Sequence, residues 1–119
     1  MRGAPAVTIP ALIPQTTHRK GGKIMSKVAV LIKSPDQQYE GLRSSLGMLL
    51  YNTEVQMFVL NDEIANMDEA YEDNMGFLDE MEGERFSNNR ANVDKYGFKY
   101  ATAEQIGVML READLVIPF

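Results

Sequence analysis

The stretch from Lys27 to Asn61 constrains this chain most tightly, because it reads as strand, turn, helix and strand in succession. Val28-Ala29-Val30-Leu31-Ile32 is a short apolar, β-branched run, the pattern of a strand covered on both faces. Ser34-Pro35-Asp36 interrupts it with turn chemistry. From Tyr39 the apolar residues Leu42, Leu46, Leu49 and Leu50 follow at helical spacing and give one face to lay on a sheet. Asn52-Thr53 ends that helix, and Val55 to Leu60 reads as a second buried strand. Two buried strands joined through a helix imply a right-handed parallel crossover, and therefore an α/β protein.

The remainder extends the same alternation. Asn61-Asp62-Glu63 closes the unit, and Asn66 or Asp68 is placed to cap a helix whose apolar stripe is Met67, Tyr71, Met75, Leu78 and Met81. Asp68, Glu69, Glu72, Asp73, Asp79 and Glu80 take its other positions, and Gly83 is the expected terminator. Arg85-Phe86-Ser87 predicts a short third strand, Asn88-Asn89-Arg90 an exposed loop, and Ala91–Tyr96 a brief helix stopped by Gly97. Thr102-Ala103-Glu104-Gln105 matches a capping box ahead of a helix with Ile106, Met109, Leu110 and Ala113 on its apolar face. Leu115-Val116-Ile117 reads as a last buried strand before Pro118-Phe119. The predicted order is β-α-β-α-β-α-α-β, with one domain over residues 25–119.

Residues 1–24 differ in kind. They carry Arg2, Arg19, Lys20 and Lys23, no acid, three prolines and the sole histidine, His18, with no amphipathic period. They read as a disordered tail. Arg19-Lys20-Gly21-Gly22-Lys23-Ile24 can be encoded by purine-rich codons containing a ribosome-binding sequence, so Met25 is the expected natural start and the tail a translated or expression-derived leader. Without the tail's charge of +4, the other residues hold −9 of the total −5. So acidic a body repels a phosphate backbone, which argues against nucleic acid as a partner. No apolar run is long enough for a membrane span. The expected location is the cytoplasm.

The residue inventory excludes much chemistry. The chain has no cysteine, and from Met25 onward no histidine. Cys-His and Ser-His nucleophile pairs and His-based metal sites are therefore absent from the body. The glycines form neither a dinucleotide fingerprint nor a phosphate loop. A carboxylate site for Mg²⁺ or Ca²⁺ among Asp62, Glu63, Asp68 and Glu69 matches no calcium-loop spacing, and a solvated helix start is the preferred reading. No catalytic residue, metal or cofactor is assigned. One general rule still points to a place, since parallel sheets bind ligands outside the carboxyl ends of their strands. Those ends carry Ser34, Asp36, Gln37, Gln38 and Tyr39, then Asn61 and Asp62, then Ser87, Asn88, Asn89 and Arg90. They are the candidate ligand or partner loops.

Taken together, Lys27–Ser34, the Gly41-Leu42-Arg43-Ser44-Ser45-Leu46-Gly47 helix, Val55–Asp62 and the closing Ala113-Asp114-Leu115-Val116-Ile117-Pro118-Phe119 resemble the DsrE/DsrF-like family of small sulfur-relay proteins. The resemblance implies a three-layer, flavodoxin-like sandwich with a mostly parallel sheet, assembled into trimers or hexamers. It also implies, for some members, a persulfide-carrying cysteine in the loop after the third strand, about eight residues before a glycine. With Gly97 as that glycine the matching position is Asn89, and Asn92 stands where some relatives carry a second cysteine. An amide cannot carry sulfane sulfur as a thiolate does.

The expected function is therefore a non-catalytic family member, a homo-oligomeric scaffold or partner-binding subunit associated with sulfur metabolism or sulfur relay. The alternative is a module binding a small nucleotide-like or flavin-like ligand through the strand-end loops. A hydrolase or transferase would have to work through Asp36 or Asp62 with hydroxyl groups. Direct sulfur transfer would need a partner's thiol.

Overall fold

The computed structural model describes residues 26–51 and 53–119. The expectations for the tail, for the start at Met25 and for Asn52 as part of a helix stop lie outside these residues. Strand β1 (Lys27–Ile32) leads through a 3-10 turn at Pro35–Gln37 into α1 (Gln38–Leu49) and then β2 (Glu54–Val59). Helix α2 (Glu69–Glu80) and strand β3 (Glu84–Ser87) follow, then α3 (Arg90–Tyr96), β4 (Lys99–Tyr100), α4 (Ala103–Glu112) and β5 (Leu115–Pro118). All strand pairings are parallel, and the sheet order is β4-β3-β2-β1-β5. The chain is thus an α/β protein with a flavodoxin-like three-layer architecture and an entirely parallel sheet.

Strand order decides where the helices go. The first three crossovers step in one direction, so right-handed connections put α1, α2 and α3 on one face. The last crossover returns past β1 to β5 and puts α4 alone on the other face. Alternation along the strands matches this division. Val28, Val30, Ile32, Val55, Met57 and Val59 pack with Leu42, Tyr71, Met75 and Leu78 beneath the three helices. Ala29 and Phe58 pack with Ile106, and Phe86, Met109 and Leu110 lie partly buried against them.

The caps hold as the residues suggest. Asp68 accepts the Tyr71 amide at the start of α2, and Thr102 and Gln105 form the reciprocal capping box of α4. Gly97, at φ 75°, ends α3 in the left-handed conformation. At the end of α2 the left-handed residue is Glu82 (φ 67°) rather than glycine. Gly83 serves instead for closeness, since a Cβ there would stand 2.8 Å from Leu78 Cγ.

Three expectations need correction. Strand β4 has no counterpart in the sequence pattern; it pairs with β3 through only two residues, Phe86 with Lys99 and Ser87 with Tyr100. Strand β5 is an edge strand and not a buried one, with Leu115 49% and Val116 37% exposed. Leu50 falls past the end of α1 and is exposed, so the apolar stripe of that helix stops at Leu49.

Arg85 ties the helical face together. Its guanidinium, largely covered, forms paired hydrogen bonds to Asp79 at 2.8 and 2.9 Å, donates to the Tyr96 carbonyl at 2.8 Å, and lies 4.8 Å from the Phe98 ring centroid. The planar fork joins α2 to the end of α3, which a lysine could not reproduce.

Two helical glycines differ in purpose. A Cβ at Gly41 would stand 2.5 Å from Ile32 Cγ1, in the core where α1 crosses β1, whereas Gly76 in α2 has nothing within 4 Å. Gly41→Ala is expected to destabilise by about 1–3 kcal/mol through overpacking. Gly76→Ala is expected to stabilise by about 0.5–1 kcal/mol through helix propensity. Urea midpoints of the two variants check both signs.

Candidate functional site

The carboxyl ends of the strands divide into two groups. At β1, Lys33 and Ser34 donate their amides to the Phe119 carbonyl at 2.8 and 3.4 Å, and Phe119 donates back to Leu31 at 2.7 Å. The strand order reverses at β1, between its neighbours β2 and β5. The Phe119 ring packs there against the three-helix core and within 3.6 Å of where a Gly41 Cβ would stand. Ser34 precedes the 3-10 turn without a side-chain capping bond, and Asp36 and Gln37 are exposed. Tyr39 turns away, its hydroxyl accepting from Asn74 of α2 at 2.9 Å. The buried Gln38 accepts the Ala65 amide at 2.9 Å and so links the first loop to the second.

The second group is a polar staple between the loops after β2 and β3. Asn61 sits at φ 72°, a left-handed conformation that asparagine tolerates. Its amide donates to Asn88 Oδ1 at 2.7 Å, and its carbonyl accepts from Asn89 Nδ2 at 3.0 Å. Asn89 spends its Oδ1 on the amides of Ala91 and Asn92, capping α3. Asn92, fully buried, accepts the Ile64 amide at 2.9 Å. It also donates to the Asp62 carbonyl and to Ser87 Oγ, both at 3.1 Å. Ser87 Oγ in turn donates to the Val59 carbonyl at 2.6 Å and accepts the Asn89 amide at 3.0 Å.

Five of the sequence-derived candidates therefore meet: Asn61, Asp62, Ser87, Asn88 and Asn89. Asp62 contributes through its backbone, and its side chain is left exposed. Arg90 swings away from this group and lies 3.9 Å over the ring of Tyr100. Ser34, Asp36, Gln37 and Tyr39 do not join it. The residue that sequence reasoning underrated is Asn92, treated only as the site of an absent cysteine. Its signal was an asparagine inside a short helix, where the amide lowers helix propensity and needs a compensating role.

The amides at the two positions of interest thus have full structural employment. Asn89 fills both ends of its side chain, and Asn92 makes three bonds with no exposure to solvent. Of the four carboxylates considered for a cation, Glu63 pairs with Lys95 at 2.9 Å and Asp68 caps α2, and among the described residues no group of three or more could hold a metal ion. Glu63 also holds the Lys95 ammonium above its usual range. Burial pushes the Tyr71 phenol upward, with the Arg85 charge opposing, and its hydroxyl has no hydrogen-bond partner among the described residues.

At the opposite, amino-terminal end of the sheet lies a cavity of about 270 Å³ lined by Leu49, Val55, Gln56, Met81, Glu82 and Glu84, among others. Gln56 donates to Glu84 Oε1 and Lys99 to Glu84 Oε2, both at 3.1 Å. Burial pushes the Glu84 carboxyl up. The hydrogen bonds from Gln56 and Lys99, with the charges of Lys99 and Lys27, outweigh it and leave the group below the ordinary range.

Among the described residues no helix is long and apolar enough to cross a membrane. In comparisons with known proteins, the chain matches no family model and no curated protein.

Asn92→Ala is expected to cost about 2–4 kcal/mol, since it strands a buried amide as well as removing three bonds. Asn89→Ala is expected to cost about 1–2 kcal/mol as a lost cap. Urea titrations with unchanged slope check both. A carboxylate lowered on folding stabilises above its unfolded pKa and loses that contribution as pH falls through the folded one. The stability gap between the wild type and Glu84→Gln, about 0.5 kcal/mol for so exposed a pair at pH 6, should close as pH falls toward 3.

Proposed function

We propose that this chain is a non-catalytic DsrE/DsrF-like protein, a homo-oligomeric scaffold or partner-binding subunit associated with sulfur metabolism or sulfur relay. The observation that carries the reading is the use made of Asn89 and Asn92. At the position where the resemblance implies a persulfide-carrying cysteine in some members, and at the one where some relatives carry a second cysteine, the chain holds amides that cap α3 and staple it to the loop after β2. Those amides keep the loop framework and give up the nucleophile. The parallel α/β architecture supports the same reading, because it is the fold that the resemblance implies.

The small-ligand alternative gains less support. The polar groups at the carboxyl ends of β2 and β3 are largely spent on one another, and Phe119 packs at the β1–β5 junction. Occupying the loops would mean breaking bonds already made, a cost that any ligand's contacts must first recover.

The test is native mass spectrometry of protein purified gently from its own host. The expected result is a homo-oligomer, with or without a second protein subunit, and no tightly held small molecule. A bare monomer without partner would overturn the proposal. A stoichiometric small molecule would transfer the argument to Ser34, Asp62 and Asn89.

A further inference from the structure

We draw no further inference here: the strongest candidate, the open apolar concavity of about 370 Å³ beside α4 that Phe86, Tyr100, Val108 and Met109 help to line, is an exposed face of the fold, and nothing in the structure shows what covers it.

Discussion

Everything in this molecule depends on β1 being enclosed on all four sides. Val28, Ala29 and Val30 are at most 1% exposed, with β2 on one edge, β5 on the other, α1 above and α4 below. A strand with no polar side chain among its inner residues can be buried in this way only if neighbouring strands satisfy its backbone on both edges. The parallel sheet does so, but each parallel neighbour has to be reached through a crossover, and each right-handed crossover commits a helix to a face. The order β4-β3-β2-β1-β5 thus sets both the enclosure of β1 and the imbalance of three helices against one.

The staple of Asn61, Ser87, Asn88, Asn89 and Asn92 solves a second problem, which is how to satisfy the backbone groups of the loops at the carboxyl ends of β2 and β3. The loop after β2, residues 60–68, and the link Asn88-Asn89 after β3 carry backbone groups that no ladder satisfies. Asparagine offers an acceptor and two donors on one side chain. Asn92 uses its acceptor and both donors on an amide and a carbonyl of the loop after β2 and on a hydroxyl at the end of β3. A side chain with fewer hydrogen-bonding groups in that place could not serve all three. The amides of Asn89 and Asn92 are therefore spent on closing the loops after β2 and β3.

Legibility in the sequence followed the length and strength of each pattern. The β1-α1-β2 unit, the Asp68 cap and the Thr102–Gln105 box were readable because each rests on local chemistry spanning several residues. Strand β4 was not, because Lys99-Tyr100 has no room for a period and owes its conformation to pairing with Phe86 and Ser87. The run Leu115-Val116-Ile117 was legible as a strand but not as an edge, since apolarity reports the need for burial and not the place in the sheet. The left-handed residue beyond α2 is Glu82 rather than Gly83, and the glycine stands instead where Leu78 approaches closely. The candidate loops were legible as a polar set; that Asn61, Ser87, Asn88 and Asn89 would bond to one another while Tyr39 and Arg90 turned outward depended on contacts between distant segments.

The exposed edge and the open face follow from the same imbalance. With a single helix below the sheet, α4 can cover β1 and β2 or the strands flanking them, but not all five, and the core dictates the first choice because Ala29 and Phe58 lie there. What remains exposed is the outer part of that face: Tyr100 on one side of α4, Val116 on the other. Apolar surface of this kind is favourable to bury whenever a complementary surface can meet it. On the helical side the same need is met internally, by Arg85 bridging α2, α3 and Phe98 over the core. No comparable bridge spans the α4 side among the described residues.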